Sequence, residues 1–421
     1  MGGSHEQDGT PWSRLTALVL GGSGMIGRHV IESLLRRGAS VQVLTRPNSP
    51  NRARNLAGLP VRLVEGDLEE PLSIRSALDG IDVLFHCAAP YPRSHFHKER
   101  QVRRAVASLQ SLLETARSRV PSDLQVPPAR QSRLEVEQAA GAAWVLRHQP
   151  EREAEMKEHL RSLELLEQAR AGRLNASLHP PLREVAHLPG LKRIVYVSSV
   201  TTIGRPRGRP HERPEANEAD REDRVRGSSP YFVMKEEMEA AVTRAALQGM
   251  PIVIGNPTFC VDTHDATPTS GKLLLAVARR QMPVYLPGTM NAVATRDVAE
   301  ALVNAASWGR TAQRYILGDE NLTAREFLRR VANVAGVPPP RWPLPLAVAE
   351  ALAWSTEVVN LLLRRTWPLL PISGVQMMRY SQPVDPGLAR AELAMPRTPL
   401  DVAIRDALEW LGHSLGQAKQ K

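Results

Sequence analysis

The sequence predicts an α/β fold, a doubly wound parallel sheet with a small, mostly helical C-terminal lobe. Three observations carry that prediction. The apolar run Ala17-Leu18-Val19-Leu20 passes through Gly21-Gly22-Ser23-Gly24-Met25-Ile26-Gly27 straight into a helical pattern. Short apolar runs then alternate with helical stretches, the rhythm of a parallel sheet. Finally, Tyr231 and Lys235 open a helix that follows an apolar run ending in Ser198-Ser199.

Composition bounds the reading. The chain has 421 residues, 42% of them hydrophobic, enough for two domains or one large α/β unit. Its net charge of +10 is spread along an arginine-rich sequence. No nucleic-acid-binding motif accompanies that charge, so no nucleic-acid partner is expected. Cys87 and Cys260 are the only cysteines, too few for a disulfide framework or a structural zinc site. No metal site is expected, and a reducing cytoplasm fits. Met1 to Arg14 is polar and lacks the apolar core of a secretory signal. Residues 1–15 are therefore expected to form a flexible tail.

The first strand is expected over Leu18–Leu20 and the first helix from Met25 to Arg37, ended by Gly38. Between them Gly21 suits a tight turn, and Gly24 lets a pyrophosphate approach the backbone. Gly27 lets the helix pack closely on the strand. The helix would then turn its free N–H groups and positive end toward phosphates. The spacing is Gly-x-x-Gly-x-x-Gly rather than the commoner Gly-x-Gly-x-x-Gly.

Val41–Leu44 is the second strand, and it ends at Thr45-Arg46. A site for NAD places an acid here to bond the ribose 2′-OH, whereas an arginine accommodates a 2′-phosphate. Arg46 has no acid beside it, which favours NADP over NAD. Val61–Val64 is the third strand. Asp67 beyond it either accepts from an adenine amino group or caps the helix Leu72–Leu78. Asp82–His86 is the fourth strand. The small residues Cys87, Ala88 and Ala89 at its end let backbone lie against a dinucleotide. His86, a lone histidine closing a buried strand, reads as structural.

Glu99–Arg117 reads as a helix with Val102, Val106, Leu109 and Leu113 on one face. The alternation then breaks. A helical insert is expected over about 120–189, containing two charged amphipathic stretches and two proline pairs. If Glu99–Arg117 is the crossover to the fifth strand, the insert hangs below the sheet. If Glu151–Ala171 is the crossover, the preceding segment becomes a lid. The cleaner apolar stripe and normal connection length favour the first arrangement.

Lys192–Ser199 is the fifth strand, ending in hydroxyls. Pro230 suits a helix start, and the helix runs to about Leu247. Tyr231 and Lys235 stand one turn apart on one face. An ammonium there favours the phenolate and lowers the tyrosine pKa, making it a usable acid/base near neutrality. Ser199 could bond the substrate oxygen that Tyr231 protonates.

Taken together, these residues resemble an extended short-chain dehydrogenase/reductase. The segments that carry the resemblance are Gly21–Gly27, Val43–Arg46, Glu65-Gly66-Asp67-Leu68, His86–Ala89, Val197–Ser199 and Tyr231-x-x-x-Lys235. Further along come Gly255–Thr258, Met282–Gly288, Arg296–Ala299 and Tyr315–Gly318. The likeness is nearest to dihydroflavonol-reductase-like and hopanoid-associated epimerase-like members, with 3β-hydroxysteroid dehydrogenases as cousins.

The resemblance implies a Rossmann-type domain over 16–255 and a substrate lobe over 256–421, with about 289–320 returning to the sheet. It implies a catalytic set of Ser199, Tyr231 and Lys235, the lysine also holding the nicotinamide ribose. Cofactor contacts are expected from Gly21, Ser23, Gly24, Met25, Ile26, Gly27, Arg46, Asp67, Leu68, Cys87, Ala88, Ala89, Ser198, Tyr231, Lys235, Pro257, Thr258 and Phe259. The family's usual asparagine after the fourth strand is absent; Gln101-Val102-Arg103-Arg104 stands there.

In the lobe, Gly271–Arg280 reads as a helix near substrate, and Thr295 as the cap of Arg296–Ser307, where Asp297 could support the sheet edge. Thr323 and Glu326 form a capping box. Leu344–Leu363 is apolar but broken by Glu350 and Glu357, so it reads as a core element of the lobe and not as a membrane span. Arg364, Arg365 and Trp367 leave interfacial membrane contact open.

The expected function is hydride transfer between NADP and a carbonyl or alcohol carbon of a small or lipid-like molecule. The alternatives are a nucleotide-sugar epimerase or dehydratase that returns the hydride to its substrate, and a non-catalytic NADP-binding sensor or scaffold. A homodimer is compatible with all three.

Overall fold

The computed structural model describes residues 10–46, 48–49, 51–88, 98–124, 179–206, 215–220, 229–266, 270–362 and 372–413. Seven parallel strands form the central sheet. They are β1 (Thr16–Leu20), β2 (Ser40–Thr45), β3 (Arg62–Glu65), β4 (Val83–His86), β5 (Arg193–Val197), β6 (Ile252–Pro257) and β10 (Arg314–Leu317), in the order β10-β6-β5-β4-β1-β2-β3. β4, β5 and β6 are buried along their whole length. That is why they read as nearly continuous apolar runs instead of alternating.

The strand order reverses between β1 and β4, which lie side by side with Leu20 opposite His86. At such a switch point the loops beyond the carboxyl ends diverge and leave a crevice. On one face pack α1 (Met25–Arg36) and α8 (Thr295–Trp308), whose Val30, Ile31, Leu34 and Leu302 share a core with Val19, Phe85 and Val195. The other face holds α3 (Pro71–Ala77), α4 (Lys98–Arg117) and α6 (Pro230–Leu247). There Leu109, Leu113, Met238 and Val242 meet Leu18, Leu84 and Ile254.

Glu99–Arg117, as α4, is the crossover helix. The Leu191 N–H donates to the Arg119 carbonyl just beyond α4, and β5 starts two residues later. Most of the expected insert lies outside the described residues. Its two ends do not: Nε2 of buried His179 lies 2.9 Å from the Leu124 carbonyl. Arg193, the first residue of β5, donates to the Pro180 carbonyl at 2.7 Å, so both ends meet at the amino edge of the sheet. Val120, Leu124, Leu182 and Val185 are buried in the main core, so the flanks of the insert belong to the sheet domain.

A smaller three-stranded sheet, β11 (Glu320–Thr323), β9 (Thr289–Ala294) and β7 (Phe259–Val261), begins the lobe. It packs with α7 (Ser270–Ala278), α9 (Ala324–Ala335) and α13 (Leu400–Trp410) around Leu274, Phe327, Val331 and Ile404. A two-residue strand pair, β8 (Val284–Tyr285) with β12 (Trp342–Pro343), leads into α10 (Leu346–Leu362) and α11 (Ile372–Tyr380). The segment containing α12 (Gly387–Leu393) returns to the sheet domain, where Ala389, Leu393 and Met395 join the core beneath α8.

Several expectations change. The tail is shorter than 1–15 within the described residues: Trp12 is 3% exposed in a 3-10 turn and Leu15 is buried. One indole buries enough apolar surface to anchor a polar segment. Thr295 does not cap α8; it is the first helical residue, Ala294 holds the cap position, and no side chain caps it. Asp297 instead accepts from Thr398 N and Oγ1 at 2.6 and 2.7 Å, tying α8 to the start of α13. Thr323 and Glu326 do form the capping box of α9. α10 is helical but only half enclosed: Ala349 and Ala353 are buried, whereas Val348 and Leu352 face solvent. Among the described residues no helix is long and apolar enough to cross a membrane.

Candidate active site

The glycine turn after β1 is built by steric necessity. Gly21 takes φ +77°, and a Cβ there would stand 2.8 Å from the Ala88 backbone. The turn can therefore press against the end of β4, where Cys87 N donates to the Leu20 carbonyl at 2.9 Å. A Cβ on Gly27 would meet the Gly21 carbonyl oxygen at 2.3 Å. Both positions exclude any side chain. Gly24 differs. Its Cβ would meet only the Gly21 oxygen, at 3.3 Å, so that side is open. Gly24 is the N-cap of α1 and no side chain caps the helix. The first N–H groups of α1, from Met25 onward, thus have no side-chain cap at the positive end of the helix. Ser23 is held from behind, its carbonyl accepting from Asn55 Nδ2 at 2.9 Å.

The fifth strand and α6 bring together the three residues expected to be catalytic. The Tyr231 hydroxyl reaches Ser199 Oγ at 3.5 Å. Ser199 Oγ also accepts from Thr201 N and Oγ1 at 3.2 and 3.0 Å, which fixes its rotamer. Lys235 is buried, and its Nζ donates to the carbonyls of Ser198 and Val197 at 3.2 and 3.4 Å. Burial pushes its pKa down to about 8, against the opposing pull of Glu239 and Cys87. At neutral pH it keeps its charge. His86, buried below the same strand ends, is pushed down to about 4 by desolvation, so it stays neutral. The Cys87 thiol is pushed up to about 12, also by burial, and is not a nucleophile near neutrality.

Beneath this trio lies a buried polar cluster that sequence reading missed. Glu239 Oε1 pairs with Arg314 Nε at 2.9 Å. Its Oε2 accepts from Thr202 Oγ1 and Asn256 Nδ2, each at 2.7 Å. Asn256 Nδ2 also lies 3.1 Å from the Ser199 carbonyl, which links the cluster to the site floor. Glu239 had a sequence signal: it follows Lys235 by four residues, one helical turn on the same face. Arg314 had none. It opens β10, and only sheet order brings it beside α6.

The remaining expected contacts divide. Ser198, Cys87, Ala88 and the glycine turn gather at the switch point. Arg46 is exposed at the end of β2. Asp67 does not cap α3, whose N-cap is Glu70; its carboxylate accepts from Glu69 N at 3.1 Å in a local turn. The Leu68 carbonyl accepts from Ser108 of α4 at 2.6 Å. Pro257 ends β6, and Thr258 N donates to the Leu317 carbonyl at 3.1 Å. Phe259 turns into the lobe, its ring 5.4 Å from that of Phe327. Ala89 lies outside the described residues. Where the family's asparagine is absent, Val102 is buried and Arg104 pairs with Glu69.

Comparison with known proteins agrees with this architecture. The model of the NAD dependent epimerase/dehydratase family matches residues 17–126 and 161–318. A Synechocystis sp. protein provisionally named dihydroflavonol 4-reductase is 28% identical over 397 residues, 93% of each chain. Sterol demethylase protein B of Methylococcus capsulatus is 24% identical over 400 residues, 94% of this chain and 98% of its own. Among solved structures, a nucleoside-diphosphate-sugar epimerase from Pseudomonas aeruginosa superposes with TM-score 0.63 at 21% identity, covering 94% of this chain and 97% of its own. The Thermus thermophilus UDP-glucose 4-epimerase, in complex with NAD, gives TM-score 0.58 at 18% identity, with 94% and 99% covered. The chain belongs to the NAD-dependent epimerase/dehydratase family and is an NAD(P)-dependent enzyme of the extended short-chain dehydrogenase/reductase type.

Proposed function

We propose that this protein is an NADP-dependent reductase/dehydrogenase acting on a carbonyl or alcohol carbon of a small or lipid-like molecule. The observation that carries the reading is the Tyr231–Ser199 pair, 3.5 Å apart, with the buried charge of Lys235 on the same helix face. A binding module needs no such acid/base set.

The residues present fit a dinucleotide. The open side of Gly24 and the uncapped first turn of α1 suit a diphosphate. Among the described residues the buried Ser198 Oγ and His86 Nδ1 have no hydrogen-bond partner, which leaves polar capacity at the strand ends. When bound, the nicotinamide would supply or accept the hydride. Ser199 Oγ would donate to the substrate oxygen and orient it. Tyr231 would pass its phenolic proton to that oxygen in reduction and take it back in oxidation. Lys235, positive at neutral pH, would stabilise the phenolate left behind.

Arg46 supports NADP over NAD. It is exposed at the end of β2, and among the described residues no carboxylate pairs with it. A guanidinium there can form charge-assisted bonds to a 2′-phosphate. A lipid-like substrate is supported by the relative named sterol demethylase protein B, which aligns over nearly the whole chain.

The test is cofactor stoichiometry with a panel of ketones from small to sterol-like. Consumption of NADPH in step with alcohol formation is expected. Isomerisation without net consumption would replace this reading with the epimerase, and binding without either reaction would replace it with a sensor. Titration should show NADPH bound more tightly than NADH, with Arg46→Ala removing most of the difference. Equal affinities in the unaltered protein would refute the assignment of Arg46.

A further inference from the structure

We propose that the outer face of α10, together with the β8–β12 strand pair, is a docking surface for an anionic lipid bilayer. This goes beyond the reading of the active site and does not depend on turnover.

The surface is one module. Leu286 and Leu344, which flank the strand pair, pack with Leu346 against the buried Ala349, Ala353, Ile372 and Val375. Above that small core the apolar side chains point outward. Trp342 is 69% exposed, Val348 47% and Leu352 49%, and Val284 pairs in register with Trp342. Val348 and Leu352 are four residues apart on one helix face, and the small Ala347 and Ala351 beside them are exposed too. Between Leu346 and Thr356 the helix is apolar on its buried face and exposes Ala347, Val348, Ala351 and Leu352 on the outer one, a face that suits a second apolar environment. α10 has 17 residues, about 25 Å of helix, and is not apolar enough to span a membrane. It can lie in the interface plane, where tryptophan is favoured.

Charge selects the occupant. Arg341 adjoins Trp342, and its N–H donates to the Pro283 carbonyl next to Val284. Arg279 and Arg280 follow α7 and lead into the same strand. All three are exposed, and among the described residues none pairs with a carboxylate. Other exposed arginines do pair, Arg104 with Glu69 and Arg379 with Glu350. A second copy docked by two-fold symmetry would bring Arg279, Arg280 and Arg341 of one rim toward the same like-charged residues of the other. An anionic bilayer offers an apolar interior to the tryptophan and leucine and negative headgroups to the arginines.

The test is co-sedimentation of the full chain with vesicles of equal parts phosphatidylcholine and phosphatidylglycerol, and with phosphatidylcholine alone. Light scattering of the vesicle-free protein is run beside it. Binding to the anionic vesicles is expected, falling with added salt, with little binding to the neutral ones. Trp342→Ser with Leu352→Ser should weaken it at least about tenfold. Each of Arg279→Gln, Arg280→Gln and Arg341→Gln should weaken it about fivefold. These are surface changes, and an unchanged melting curve confirms that the variants fold. The proposal is overturned by three results. One is no binding to anionic vesicles. The second is binding that the double serine variant leaves unchanged. The third is a vesicle-free dimer that the double variant converts to a monomer, which would assign the face to a second copy.

Discussion

Replacing Arg314 with leucine would strand a negative charge in the protein interior. Glu239 is 5% exposed and Arg314 3%, and the two lie 2.9 Å apart. Breaking a buried ion pair by removing one partner costs about 3–5 kcal/mol. The guanidinium also donates to the Thr202 carbonyl at 2.7 Å, a bond the variant loses. Thr202 and Asn256 would still serve Oε2 of Glu239, which limits the damage. The expected loss is about 4 kcal/mol, a large share of the roughly 5–15 kcal/mol of a folded domain. Urea unfolding of Arg314→Leu should show a lower midpoint at unchanged slope, and its Tm should fall by about 5–10 °C. The double variant Arg314→Leu with Glu239→Leu removes both charges and should recover much of the loss. A single-variant loss below about 1 kcal/mol, or a double variant whose loss is the sum of the two singles, would refute a coupled buried pair.

Other perturbations test the site. Tyr231→Phe keeps the ring and removes the proton donor, so turnover should fall by roughly 10²–10⁴ while NADPH still binds; near-normal turnover would take Tyr231 out of the mechanism. In the proposed mechanism Lys235 serves as a cation, and burial pushes its pKa down to about 8, so turnover should decline as pH rises through about 8. Glu239 raises that pKa, so Glu239→Gln should move the alkaline limb to lower pH; a limb that stays in place would show that another group titrates there. The Glu218 carboxyl is pushed up to about 7, chiefly by burial, while accepting from Ile316 N at 2.9 Å. Between its ordinary range and about pH 7 the folded state binds more protons than the unfolded chain, so stability falls as pH rises through that window. Glu218→Gln should flatten that part of a Tm-against-pH profile. Deleting residues 126–177 with a short Gly/Ser bridge should leave NADPH affinity intact, because the segment's ends meet at His179 and Leu124 on the amino edge of the sheet. A folded deletion that cannot bind NADPH would make the segment part of the site.

The sequence by itself determined the sheet, the glycine turn and the helical spacing of Tyr231 and Lys235, two of the residues proposed as catalytic. Gly27 is dictated by contacts within its own turn, and Tyr231 and Lys235 by the pitch of a single helix; Gly21 is recognisable by its place in the turn, although the backbone it presses on, Ala88, comes from the end of β4. The capping box at Thr323 and Glu326 was legible for the same reason, since its bonds span three residues.

What lay beyond reach were contacts between distant elements that no local motif marks. Arg314 meets Glu239 only because β10 and β6 are neighbours in the sheet. Asp297 was recognisable as a candidate, but its partner, Thr398, is 101 residues away. Trp12 looked like part of a polar tail because its neighbours are polar, whereas burial is decided by what packs over one ring. α10 looked like lobe core because its composition is apolar. Only the tertiary structure shows which face is covered: Ala349 and Ala353 meet α11, while Val348 and Leu352 meet solvent. Composition records how much apolar surface a helix carries, and packing geometry alone decides which part of it is buried.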